Sequence, residues 1–161
     1  MNKSTITIAN RQRTKIINSR LLKQIVDELF AELEITATEI EINLVGAKEM
    51  AKINWNFLRH EGSTDVITFD YGQKARFARV LAPPNLHGEI FICVDDAISQ
   101  AKQFKTNWQS EIVHYIVHGI LHLLGHDDLK PALRRKMKRK EDSLLRKLSK
   151  KFSFAQIARQ S

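Results

Sequence analysis

Apolar residues recur along this chain at two periods, and the alternation between them lays out its elements. Residues 5–9 alternate at period two and predict a short strand. Ser19 stands where it would cap a helix whose Leu22, Ile25, Val26, Leu29, Phe30 and Leu33 recur at helical spacing. Residues 39–45 alternate again, with Ile40, Ile42 and Leu44 on one face of a half-buried strand. Residues 47–58 predict a second helix, and residues 65–69 and 89–94 two further strands. Between those strands lies an insertion, residues 70–87, whose Pro83-Pro84 pair forbids regular pairing. Asp95 or Asp96 is positioned to cap a helix through Lys105. Residues 108–124 are apolar nearly all round, as a buried helix is, and Pro131 suits the first turn of a last helix reaching about residue 150. No internal repeat or low-complexity linker interrupts this order. Strands that precede helices, with few β-α-β units, predict an α+β domain: a small mixed sheet packed with helices.

One of those helices carries what a core helix seldom does. The stretch His118-Gly119-Ile120-Leu121-His122-Leu123-Leu124-Gly125-His126-Asp127-Asp128 holds three histidines and two aspartates inside the most apolar segment. His118 and His122 are four apart, so on a helix they project from one face, one turn apart, the spacing two imidazoles need to share a cation. Gly125 supplies a left-handed stop that brings a following side chain back over the helix end. Asp128 lies on that returning loop. His118, His122 and Asp128 therefore form a candidate metal site with three protein ligands and an open position, the pattern of catalytic zinc. The donor set suits one Zn²⁺ per chain and also admits Ni²⁺, Mn²⁺ or Fe²⁺. His126 is the rival third ligand. His114 extends the stripe but sits about 12 Å along the axis from His122, and is read as a core or supporting histidine.

Charge sharpens the picture more than composition does. The 161 residues fit one domain with one packed core. Cys93 is the only cysteine, which leaves no intramolecular disulfide, and it lies in an apolar run as a buried small hydrophobe rather than a nucleophile. The first residues lack an apolar leader, no run reaches the length of a membrane span, and a cytoplasmic protein is expected. The net charge of +8 is uneven: residues 129–161 hold twelve Lys and Arg against Glu141 and Asp142, a formal +10. Residues 1–128 form a nearly neutral catalytic body, and residues 129–161 a basic helix and tail on the same domain. Such a block attracts polyanions, and phosphate contacts by Lys and Arg are the common source of sequence-independent nucleic-acid affinity.

With these residues in view, the segment from His118 resembles the signature of the YbeY family of bacterial metal-dependent endoribonucleases and rRNA maturation factors, which runs H-G-x-L-H-L-x-G-Y-D-H. His118, Gly119, Leu121, His122, Leu123, Gly125 and Asp127 match it. His126 stands at the usual tyrosine and Asp128 at the usual third metal histidine. Asn54-Trp55-Asn56-Phe57-Leu58-Arg59 with residues 62–69, and Gly88-Glu89-Ile90-Phe91-Ile92, are similar to two further family stretches in family order. The resemblance implies a zincin-like arrangement around the central metal helix. It also implies single-strand-specific endoribonuclease activity in 16S rRNA 3′-end maturation and ribosome quality control, and contact with ribosomal RNA and with the ribosome or its proteins. No DNA or membrane partner is expected. Arg59 falls at the family's functional arginine, where a guanidinium would stabilise charge on a phosphorane.

Two other functions fit parts of the sequence. A helical zinc protease places a glutamate general base directly after the first histidine; Gly119 stands there instead. The other is a ribosome-bound assembly factor in which the metal is structural and no catalysis occurs. Thr64 and Asp65 are expected to order the start of a strand by side-chain to backbone bonding, His60 to face solvent, and Glu111 to be a surface or supporting charge.

Overall fold

The computed structural model describes residues 4–72 and 85–159. The strands there are β1 (Ser4–Asn10), β2 (Ala37–Val45), β3 (Val66–Asp70) and β4 (Asn85–Cys93), joined in one sheet of order β1-β2-β4-β3. β1, β2 and β4 are parallel, and β3 runs antiparallel to β4 along an edge. This is the expected mixed sheet of an α+β fold. Its register sets Ile42 beside Ile90 and Leu44 beside Ile92, all buried, and turns Glu39 and Glu41 to the exposed face. A slip of one residue would exchange the two sets, so burial of the isoleucines pins the register.

The described residues also hold five α-helices, α1 (Ser19–Glu32), α2 (Ala47–Ile53), α3 (Val94–Phe104), α4 (Trp108–Leu123) and α5 (Pro131–Lys151), and a closing 3-10 turn, Phe154–Ala158. None of them is long and apolar enough to cross a membrane. α4 lies on β3 and β4 and also packs on α1, α3 and α5. Its Ile112, Val113, Ile116, Val117, Ile120 and Leu121 are at most 1% exposed, as its all-round apolar pattern requires. A Cβ on Gly119 would stand 3.2 Å from Ile90 Cγ2 and 3.3 Å from Thr68 Cγ2. The position that a helical protease fills with glutamate is thus pressed against the sheet, and a larger residue there would push α4 off it.

Several ends differ from the sequence expectation. Asn18, not Ser19, caps α1 by accepting from Leu21 N. Asp95 and Asp96 lie inside the first turn of α3, where the helix dipole favours them. Asp95 instead caps α2, accepting from Ala47 N at 2.6 Å, because Gly46 at that helix's own N-cap has no side chain to do so. The helix expected over residues 47–58 is α2 followed by a π-helical turn, Asn54–Leu58, which ends where Arg59 turns left-handed at φ 57°. The insertion is shorter than its sequence suggests: Asn85, Leu86 and His87 already pair with β2. Pro83-Pro84 lies outside the described residues.

Candidate metal centre

α4 presents His118 and His122 from one face, and the chain then reverses. Gly125 adopts φ 100°, with its N–H bonded to His122 O at 3.0 Å and the His126 N–H to Leu121 O at 3.0 Å, a left-handed helix stop. The reversal returns Asp128 to the two rings. Ligand atoms of His118, His122 and Asp128 all lie within 4.8 Å of one another. The two Nε2 atoms stand 3.0 Å apart, and Asp128 Oδ2 is 3.8 Å from one and 3.7 Å from the other. Donors about 2.05 Å from a tetrahedral zinc stand roughly 3.3 Å apart, and the observed separations straddle that value. The donor set therefore fits a zinc-sized divalent ion.

Both rings are oriented from behind. His122 Nδ1 donates to the His126 carbonyl at 3.1 Å, and His118 Nδ1 donates to Glu141 Oε1. Each bond fixes the tautomer that leaves Nε2 free as a metal donor. Glu141, on α5, is only 5% exposed, and its Oε2 accepts from His114 Nε2 at 3.0 Å. His114 is thus a supporting histidine. Burial pushes the Glu141 carboxyl up, but the bonds from His114 and His118 outweigh it and hold the group down at about 2. Burial lowers the His118 pKa, and Glu141, Asp128 and Asp65 more than reverse this, so the ring sits in a field that favours positive charge. Glu141 went unrecognised in the sequence among the charges of the basic segment. A signal for it exists: Met137, Glu141, Leu144 and Leu148 form one buried helical stripe with a single acid in it.

Because Glu141 is depressed below its ordinary 4.5, its contribution to stability is fully present above that value and drains away as pH falls toward about 2. Glu141→Gln should lower the stability of metal-free protein near neutral pH by about 1.5–3 kcal/mol, the range for hydrogen bonds to a charged group. It should also flatten the loss of melting temperature on acidification. Melts of both proteins across an acid series check this; parallel curves would remove Glu141 from the acid response.

Other predicted residues have definite places. Two cavities flank His118. One, of about 270 Å³, is lined by Leu58, Thr68 and His122; the other, of about 250 Å³, by His114, Tyr115 and Asp128. Asp65 lines both, while its Oδ1 accepts from Val66 N at 2.8 Å, the expected ordering role. Arg59 lines neither cavity. It is exposed, follows Leu58 of the cavity wall, and holds its guanidinium 5.7 Å from the Trp55 ring. The buried Asn54 behind it bonds the Gly62 carbonyl at 3.0 Å, securing the loop that follows. His60 is exposed, as expected. Glu111 accepts from the Thr106 hydroxyl at 2.8 Å and takes no part in the site. Cys93 is fully buried, and burial pushes its thiol up to about 12, which excludes a nucleophilic role.

A family profile described as Endoribonuclease YbeY matches residues 7–149. The chain belongs to the YbeY family. It is similar to the endoribonuclease YbeY of Chlorobium luteolum, 33% identical over 143 residues that cover 89% of this chain and 97% of that one. It is also similar to the endoribonuclease YbeY of Finegoldia magna, at 34% over 147 residues, covering 89% and 93%. The solution structure of a protein from Thermotoga maritima shares the fold, with a TM-score of 0.64 at 24% identity over 89% of each chain. At the two positions where this YbeY-family chain departs from the family signature, the geometry separates the roles. Asp128 turns a carboxylate toward the histidine pair, while His126 offers its backbone carbonyl to His122.

Proposed function

We propose that this chain is a cytoplasmic, metal-dependent endoribonuclease that cleaves single-stranded RNA, acting in 16S rRNA 3′-end maturation and in ribosome quality control. The observation that carries the reading is the convergence of His118, His122 and Asp128 on one point in a chain that belongs to the YbeY family. His118, His122 and Asp128 hold one Zn²⁺, Glu141 and the His126 carbonyl orient the rings, and Arg59 brings a guanidinium to the transferring phosphate. A Zn²⁺ ion in such a site supplies Lewis acidity toward a phosphoryl oxygen. The protein's own part is positional and electrostatic: Asp65 and Thr68 wall the space beside the histidines, and Arg59 offers paired donors to charge that develops on phosphate oxygens. Residues 1–128 and 129–161 work as one unit, because Glu141 of the basic part orients His118 of the catalytic part. Ribosomal RNA, with the ribosome or its proteins, is the partner.

Purified protein incubated with a labelled single-stranded RNA tests the reading. Internal cleavage is expected, abolished by chelator and restored by Zn²⁺, with a duplex of the same sequence spared. RNA left intact under all conditions would overturn it.

The third ligand has its own test. Asp128→Ala should weaken metal binding more than His126→Ala, since removing the imidazole leaves the backbone carbonyl bonded to His122. Asp128→His, which restores the family's three-histidine set, should keep both metal and activity. Competition with a chelating dye ranks the variants. A larger loss for His126→Ala would assign the third position to that ring.

A further inference from the structure

We propose that Arg134 and Lys138 form a phosphate subsite beside the metal centre, gripping the RNA backbone next to the phosphodiester that is cleaved. The proposal rests on the endoribonuclease reading and locates its substrate contacts on α5.

The basic segment is not uniform once it folds. Residues 134, 137, 138 and 141 recur at i, i+3, i+4 and i+7, so they share one face of α5. Met137 and Glu141, at 2% and 5% exposure, set the rotation of the helix. That rotation brings Arg134 and Lys138 to the wall of the 250 Å³ cavity that His118 and Asp128 also line, whereas Arg135, Lys136, Arg139 and Lys140 line neither cavity beside His118. Arg134 and Lys138 are therefore the two of the twelve that line the cavity beside His118 and Asp128, while Lys136 and Lys140 act on His126.

Three carboxylates, Asp65, Asp128 and Glu141, share this wall with the two cations, and Asp128 would be neutralised by the divalent ion that it helps to hold. Glu141 is satisfied by His114 and His118, and one oxygen of Asp65 is engaged by the Val66 amide. Arg134 donates from Nε to the Asp128 carbonyl at 3.1 Å. That bond anchors the guanidinium and, among the described residues, leaves its two terminal nitrogens to act as a paired donor. Lys138 is held only loosely, 3.6 Å from Asp142, and its side chain is 69% exposed. The cavity volume is about eight times a water's share of the liquid, roughly 30 Å³. That is room for a phosphate group and its sugar edge.

A uniform positive field would serve as well if the helix acted only at long range, and the two cases differ in which charges matter. Binding of the full-length, zinc-loaded protein to a labelled single-stranded 2′-O-methyl oligoribonucleotide is measured across a salt series by anisotropy. Two double variants each remove two charges: Arg134→Gln with Lys138→Gln, and Arg135→Gln with Arg139→Gln. Two lost phosphate contacts on a single strand should flatten the log–log salt slope by about 1.4 and raise Kd about 10-fold near 0.15 M salt. That result is expected for the first variant. The second should change Kd by no more than about twofold, because charges off the contact face are screened at that salt. Lys138→Gln alone avoids the Arg134 bond to the Asp128 loop and should flatten the slope by about 0.7.

Equal losses in the two double variants would overturn the subsite and leave only a field. An unchanged Lys138→Gln, with metal lost in the first double variant, would overturn it by making Arg134 a brace for the loop. If wild-type protein neither binds nor cleaves RNA, the endoribonuclease reading falls and the subsite with it. If wild-type protein binds RNA but the two double variants behave alike, the subsite alone falls.

Discussion

If His118, His122 and Asp128 hold the ion as proposed, replacing His118 and His122 together by alanine is expected to abolish metal binding and reduce RNA cleavage to background. Two of the three proposed donors disappear, and the one left is the partly exposed carboxylate of Asp128. A single loop carboxylate cannot hold zinc against water and buffer. The fold should survive, because both histidine side chains are about one-third exposed, at 30% and 29%, and the buried stripe of α4 is untouched. Glu141 keeps His114 as a partner. Elemental analysis of the purified variant, with circular dichroism to verify folding, decides the matter. One ion per chain retained by a folded double variant would place the metal elsewhere.

Arg59→Ala should lower the cleavage rate by about 10²-fold or more, the size of effect seen when a transition-state charge donor is removed, while metal content and melting temperature stay nearly unchanged. Stability should hold because the side chain is exposed and its contact with Trp55 is a surface cation–π pair, worth about 0.5–1 kcal/mol. Arg59 ends a π-helical turn whose preceding residue, Leu58, walls the metal-side cavity, while its own guanidinium stands over the exposed Trp55 ring outside that cavity. Arg59→Lys should recover only part of the rate, since an ammonium lacks the planar two-point donor. Single-turnover kinetics with saturating RNA give the comparison. A wild-type rate in Arg59→Ala, alongside a slowed Arg134→Gln, would move the charge donor from the π turn to α5.

Much of this protein is legible without coordinates, for reasons that are local. The period-two run at residues 39–45 became β2 because alternation commits a strand to one buried face, and the apolar run at residues 90–93 became the end of β4, buried on both faces. The all-round apolar run became α4, buried as expected, and Pro131 opened α5. His118 and His122 needed only helical spacing to share a face, and Gly125 needed only its tolerance of positive φ to bring Asp128 back. These depend on residues within about one turn of each other.

What failed to read from sequence depended on partners far along the chain. Asp95 caps a helix 48 residues away, and no local pattern separates that role from capping its own helix. Glu141 lies 23 residues from His118, and in sequence it is one acid inside a block of cations. Its burial against His114 and His118 exists only because α5 docks on α4. The same docking divides the basic segment into two cations at the cavity and others, Lys147 and Lys151 among them, paired with Glu28 and Glu32 of α1, a distinction that composition averages away. The sequence by itself determined the elements, the spacing of the candidate metal ligands and the net field. Only the tertiary structure decided which charges are buried, because desolvation and pairing are set by the rotation and contact of whole helices rather than by the residues next in line.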